Sequence, residues 1–173
     1  MFRGLSKGIV IGLALAIAAL AASALFSYRN IQAIAEKEAL VVHTHEVLDE
    51  LRLLFSMTKD AETGQRGFII TDDVSYLKPY ESALKGIEAS FKRLHPLTAD
   101  NAPQQDRLDS LRELVDRRIE ILAQGIEAQK RDGFEAGQAH IVSGVGQQQT
   151  GLIREAVAEM MASEQRLLAE RTE

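Results

Sequence analysis

The sequence predicts an all-α protein in which an N-terminal transmembrane helix is followed by an antiparallel four-helix bundle with long first and fourth helices. Three observations support this prediction. Aromatic residues make up only 5% of the 173 residues and prolines number three, while Ala, Leu, Glu, Gln and Arg dominate, which favours helices. One uncharged apolar run lies near the N-terminus. Beyond it, apolar residues recur at helical spacing between short polar connections.

The apolar run, residues 8–28, is long enough to cross a membrane, because a helix of that length spans about 31 Å. Arg3 and Lys7 precede the run and Arg29 follows it. The bias of basic residues toward the cytoplasmic side favours an N-terminus inside the cell and the remainder outside. The chain therefore belongs in the inner (plasma) membrane.

This interpretation divides the chain into a cytoplasmic stub (1–7), a transmembrane helix (8–28) and a periplasmic or extracellular four-helix domain (29–173). A competing interpretation is a signal peptide cleaved after Ala24, since small residues surround that position. In both interpretations most of the chain is exported.

The positions of proline predict the extent of the first two helices of the exported part. The absence of proline from Ile31 to Thr71 allows one continuous helix, which Asp72 and the residue after it interrupt. A second helix follows, with Pro79 in or just after its first turn, where the missing N–H costs little. His95 followed by proline predicts its end.

The third helix has Pro103 as an early residue and stops at Gly133. The fourth begins at Phe134 and continues toward the C-terminus. Its middle, "SGVGQQQTG", is rich in glycine and intrinsically poor helix, so packing must hold it or the helix must bend there.

Short connections make sequential helices antiparallel neighbours, so the chain returns to the membrane it left. Two long and two shorter helices predict a distal bundle on a two-helix stalk. Such a stalk leaves apolar side chains uncovered, which predicts a parallel homodimer. The residues that motivate this pairing are Ile31, Ile34, Val41, Leu167 and Leu168.

Several functional classes find no support in the sequence. There is no cysteine, and the net charge of −5 without a basic block argues against a nucleic-acid partner. The histidines, at positions 43, 45, 95 and 140, lack the spacing of metal or haem ligands. We find no phosphate-binding loop and no nucleophile setting. We therefore expect no enzymatic activity, metal or cofactor in this chain.

The stretch "DAETGQRGFIITDD" interrupts the apolar stripe of the first helix. Continuing that stripe by steps of four and three residues places Glu62 and Gln65 toward the bundle interior. Arg66 lies four residues after Glu62, a favourable spacing for an ion pair, and Gly64 and Gly67 allow a neighbouring backbone to approach.

An inward polar cluster can fix helix register or contact a ligand directly, and the sequence leaves both roles open. Taking Arg66 as the partner of a buried Glu62, we expect Arg66→Ala to be more damaging than Arg93→Ala, a surface change.

Residues 60–80, "DAETGQRGFIITDDVSYLKPY", resemble the signature of the extracellular CHASE sensory domains, third type. The stretches "DNAPQQDRLDSL" and "EQRLLAER" are similar to further landmarks of that family. Asp72 stands where the family usually has glycine, at a connection that requires a positive φ. The resemblance implies that the motif positions are Glu62, Thr63, Arg66, Gly67, Thr71, Tyr76, Leu77, Pro79 and Tyr80.

The resemblance also implies the extracytoplasmic input module of a receptor with a histidine kinase, diguanylate cyclase or chemoreceptor output, as in two-component systems. Its stimulus, a small molecule or a protein, is not encoded in any recognisable motif. Such a receptor requires a second membrane span soon after Glu173. The alternative is an exported or membrane-tethered helical binding or scaffold protein without an output domain.

Overall fold

The computed structural model describes residues 7–172, apart from the side chains of residues 7, 33, 36 and 172. Five α-helices and one short 3-10 turn account for nearly all of this range. They are α1 (Lys7–Thr71), the 3-10 turn (Val74–Tyr76), α2 (Leu77–Leu97), α3 (Ala102–Asp132), α4 (Phe134–Val142) and α5 (Val145–Thr172).

The predicted all-α fold is confirmed. The distal part of α1 packs with α2, with α3, and with α4 and α5, which together occupy the fourth position of the bundle. Buried apolar side chains from α1, α2, α3 and α5 form its main core, which consists of Val47, Leu51, Leu54, Ile87, Phe91, Leu94, Leu108, Leu111, Val115, Ile153, Val157 and Met160. Burying such a set of side chains is the main favourable contribution to folding.

The N-terminal part of α1 projects beyond this core. Within the described range, α1 is the one helix long and apolar enough to cross a membrane, and its most apolar window has no buried residue. The same helix continues without interruption into the bundle. The predicted stub of residues 1–7 lies outside the described residues, except for the backbone of Lys7.

The predicted fourth helix is divided into two helices, α4 and α5. It breaks at Ser143 and Gly144, where Gly144 has a φ of 76° that other residues rarely adopt. The Ser143 side-chain oxygen accepts a hydrogen bond from the Val145 N–H across the break, at 3.4 Å. The glycine-rich segment therefore bends locally, one of the two outcomes that its composition allows.

The predicted end of the second helix at His95 is two residues too early. Pro96 lies inside the last turn of α2, which ends at Leu97. Thr98 closes the helix, because both its backbone N–H and its hydroxyl donate to the Leu94 carbonyl oxygen, at 3.0 and 2.9 Å. These bonds hold the final turn despite the proline.

Asp72 forms the turn between α1 and α2 in the left-handed conformation that the sequence led us to expect. Its φ is 57°, and it is the one residue other than glycine with a positive φ in the described range. The Gln129 side-chain amide donates to the Asp72 carboxylate at 3.1 Å, which compensates for part of the conformational cost.

Glycines allow α1 and α2 to approach closely. A Cβ atom at Gly64 would lie 2.8 Å from the Tyr76 carbonyl oxygen and 3.0 Å from the Tyr80 backbone nitrogen. A Cβ atom at Gly67 would overlap the Tyr76 ring. These contacts set the spacing of the α1–α2 hairpin, and a backbone neighbour cannot move aside as a flexible side chain can.

We predict that Gly64→Ala lowers the free energy of unfolding by about 1–3 kcal/mol, because the added methyl group overpacks the α1–α2 contact. Thermal unfolding of the detergent-solubilised chain, followed by circular dichroism, measures the effect. Gly151→Ala is the matched control. Nothing lies within 4 Å of its Cβ position, so the better helix propensity of alanine should stabilise the chain by up to about 1 kcal/mol. Stabilisation by both changes would contradict the close approach.

Candidate functional site

Glu62 and Arg118 form an ion pair inside the bundle. The Arg118 Nη2 atom lies 3.0 Å from the Glu62 Oε2 atom, and the two side chains are 4% and 13% exposed. Arg118 Nε also donates to the Thr150 hydroxyl oxygen at 3.0 Å. That hydroxyl lies 3.3 Å from Glu62 Oε2 and 3.0 Å from the Gly146 carbonyl oxygen, either of which can accept its proton. These three residues join α1, α3 and α5. Together with Arg66, which also contacts Glu62, we call them the polar layer: Glu62, Arg66, Arg118 and Thr150.

The first turns of α5 are shaped to receive Arg118. A Cβ atom at Gly146 would lie 2.5 Å from Arg118 Nη1, so a side chain at this position would displace the guanidinium group from its present place. In the next turn the Gln149 side-chain amide donates to the Leu114 carbonyl oxygen of α3 at 2.8 Å. The glycine- and glutamine-rich sequence that forms helix poorly is thus the segment that accommodates a buried arginine.

Arg66 is the outer partner of Glu62. Its Nη2 atom lies 2.9 Å from Glu62 Oε1, but the Arg66 side chain is 48% exposed. The expectation that Glu62 depends on Arg66 alone is therefore wrong, because the fully buried partner is Arg118. Removing Arg66 leaves the inner ion pair in place.

Arg93 lies on the surface, as expected, but it also joins two helices. Its guanidinium group donates from Nε and Nη2 to the two carboxylate oxygens of Glu50, at 2.8 and 2.7 Å, and so connects α2 to α1. This hydrogen bonding is the main reason why the pKa of Glu50 lies below its ordinary value. Arg93 is half exposed, so water screens the interaction.

The Glu62 carboxyl group is stabilised in its charged form. Burial, the largest single influence, raises its pKa. The hydrogen bond and charge of Arg118, the charge of Arg66 and the Thr150 hydroxyl together outweigh burial and hold the pKa below its ordinary value. Glu62 therefore contributes stability at neutral pH that is lost as the pH falls through this lowered pKa.

The other candidate residues fall into three groups. Gln65 is buried, and its amide donates to the Leu122 carbonyl oxygen at 3.3 Å, in space left by Gly125. Thr63 is exposed and donates to its own helix at Lys59. The remaining residues build the α1–α2 hairpin rather than the polar layer, and they are Gly67, Thr71, Tyr76, Leu77, Pro79 and Tyr80.

A second buried polar cluster, which the sequence did not lead us to expect, lies toward the other end of the core. The Glu164 carboxylate of α5 accepts from the Thr44 hydroxyl of α1 at 3.3 Å and from the Gln104 side-chain amide of α3 at 3.2 Å. Gln104 also donates to the Met160 carbonyl oxygen at 3.1 Å. We call Thr44, Gln104 and Glu164 the proximal cluster. The apolar stripe of α5 runs through Glu164, and this position in the stripe was the sequence signal that could have predicted its burial.

No group of three or more histidine, aspartate or glutamate side chains in the described range could hold a metal ion. The polar layer itself contains one carboxylate, two guanidinium groups and a hydroxyl. The carboxylate is shared by both guanidinium groups, an arrangement that holds the helices carrying them in position.

These features define a class of protein: a helical bundle on an apolar helix, with a buried polar layer joining its long first and last helices. The profile of the CHASE3 domain family matches residues 37–173, so the chain belongs to that family. CHASE3 domains are extracellular sensory domains of membrane receptors and have no catalytic activity of their own. The chain is therefore a sensory module of a signalling receptor.

A solved structure agrees with this assignment. The chain is similar to the sensor domain of the histidine kinase HK9 of Rhodopseudomonas palustris, with 25% identity and a TM-score of 0.68. The similarity covers 73% of this chain and 98% of that domain. No curated protein matches the chain significantly.

We predict that Arg118→Met lowers the free energy of unfolding by about 3–5 kcal/mol, because it removes the buried partner of Glu62 and leaves that carboxylate with the half-exposed Arg66 and the Thr150 hydroxyl. Arg66→Ala should cost about 0–1 kcal/mol, the range of an exposed ion pair. Circular dichroism melts of the two variants and the unmodified chain provide the comparison. Equal losses in the two variants, or a larger loss for Arg66→Ala, would show that Arg118 is not the essential partner.

Proposed function

We propose that this chain is the extracytoplasmic input module of a membrane-bound receptor, with α1 crossing the membrane and its N-terminus in the cytoplasm. A stimulus outside the membrane changes the packing of α1 against α5, and the change is passed to a histidine kinase, diguanylate cyclase or chemoreceptor output. Family membership and the likeness to a histidine kinase sensor domain support this proposal.

The observation that carries the proposal is the continuity of α1. One helix of 65 residues, about 98 Å at 1.5 Å per residue, contains both the apolar window and Glu62. No turn, proline or break separates the two, so a displacement at the polar layer moves the apolar part of the same helix. A continuous helix is a mechanical connection between a sensor and a membrane span.

The polar layer suits a role as the element that changes state. A buried ion pair contributes little net stability compared with apolar packing, but it favours one arrangement of its partners strongly. A stimulus that favours a second packing of α5 by a few kcal/mol is sufficient to shift the population. We assign this role to Glu62, Arg66, Arg118 and Thr150, with Gln65 and the hairpin residues as the surrounding frame.

We further propose that the receptor is a parallel homodimer. Ile31, Ile34 and Val42 of α1 are exposed between the apolar window and the core. Val41, which the sequence suggested as a contact, is half-buried within its own chain, so Val42 is the better interface position. Apolar side chains on an isolated helix favour pairing with a second copy.

The absence of cysteine allows a direct test of the topology. In intact spheroplasts, a membrane-impermeant maleimide should label Ser110→Cys, an exposed position of the bundle. Ser6→Cys should react only after permeabilisation, and Ala18→Cys, in the apolar window, should not react in either condition. Protection of Ser110→Cys in intact spheroplasts would contradict the proposal. A mature chain that begins at Leu25 in mass spectrometry would contradict the anchor.

A further inference from the structure

The exposed side of α1 continues from the stalk into the bundle. At about 100° per residue, Ile31, Val42, Asp49 and Leu53 lie within about 40° of one another around the helix. Leu53 is 45% exposed, although it lies beside buried core residues, and Val42 and Ile31 are more exposed still. The surface available for pairing in the stalk therefore does not end where the bundle begins.

At Leu53 this stripe enters an open groove of about 600 Å³ between α1 and α2. Leu53 and Leu97 contribute apolar surface, Glu46 and Asp49 lie on the α1 side, and Lys92 lies on the α2 side. We call these five residues the α1–α2 groove. Its two walls carry opposite charges. Asp49 already pairs with Arg52 of its own helix at 2.7 Å, and Glu50 and Arg93, which also line the groove, pair with each other. Glu46 and Lys92 have no ion pair within the part of the chain that the structure describes.

The arrangement of charges is self-complementary under two-fold symmetry. Two copies anchored in one membrane must be parallel, so residues at equal heights meet. A two-fold axis along the groove places α1 of each copy opposite α2 of the other. The acidic wall of one copy then faces the basic wall of its partner, and the two Leu53 side chains meet near the axis.

We propose that a second copy of this chain docks in the α1–α2 groove, with Glu46 of each copy facing Lys92 of the partner subunit. The inference rests on the proposed homodimer and extends its interface from the stalk into the sensory bundle. Packing changes within one bundle are then felt directly by the other, and not only through the membrane spans.

Cross-linking of the full chain in native membranes tests the groove. Leu53→Cys and Val42→Cys should each give a covalent dimer with a short bis-maleimide. Leu152→Cys is the matched control, because Leu152 is a similarly exposed leucine (42%) on α5, outside the groove. Leu152→Cys should give at least about tenfold less dimer than Leu53→Cys.

The outcomes separate the groove from the stalk. Dimers from Val42→Cys without dimers from Leu53→Cys would leave the stalk pairing intact and overturn the groove. No dimer from either position would overturn both. A Leu53→Cys product joined to a different protein would show that the groove binds another partner and would also overturn this inference.

Charge exchange tests the predicted pairing across the axis. Lys92→Glu should reduce the yield of the Leu53→Cys dimer roughly threefold or more, since like charges then face each other across the groove. Adding Glu46→Lys to the same chain should restore the yield. A double variant that remains as weak as Lys92→Glu alone would contradict the pairing. Unchanged melting curves confirm that both variants are folded.

Discussion

The ion pair between Glu62 and Arg118 is the constraint on which the rest of the structure depends. A carboxylate and a guanidinium group withdrawn from water are costly unless each finds its partner, so the helices that carry them have little freedom to slide. Thr150 brings α5 into the same arrangement. The ion pair also accounts for glycine at position 146, because a side chain there would occupy the present space of the guanidinium group. The glycine-rich start of α5 and the break at Gly144 thus accompany a buried arginine.

Two polar regions enclose the apolar core of the bundle. The polar layer lies on one side of the main core, and the proximal cluster of Thr44, Gln104 and Glu164 lies nearer the apolar window of α1. Each region joins α1, α3 and α5. Between them the side chains are closely packed and cannot absorb a large displacement. A shift of α5 against α1 at the polar layer must therefore be matched at the proximal cluster, which gives a physical route toward the apolar window of α1.

Most of the fold follows from local sequence features. Pro103 and Gly133 mark the two ends of α3, and the apolar stripe of α1 places Gln65 inside. Arg118 was not predictable in the same way, because its partner is 56 residues earlier in the chain and periodicity within one helix does not report contacts between helices. The favourable spacing of Glu62 and Arg66 instead suggested the partner that is half exposed. The glycine at position 146 can be related to the buried Arg118 side chain only once the structure is known.

The role of the polar layer is tested most directly by the distance between α1 and α5 near the proximal cluster, at the end of the main core that is nearer the apolar window. Nitroxide labels on His45→Cys and Gln165→Cys, two exposed positions, report this distance by pulsed electron paramagnetic resonance. Labelled chains are diluted with unlabelled ones so that only distances within one chain are measured. If the polar layer sets the register of α5, the unmodified chain gives one narrow distribution. Thr150→Val, which removes the shared hydroxyl, and Arg118→Met then each give a broadened or shifted distribution. Identical narrow distributions in all three folded chains would contradict the claim that the polar layer sets the register of α5.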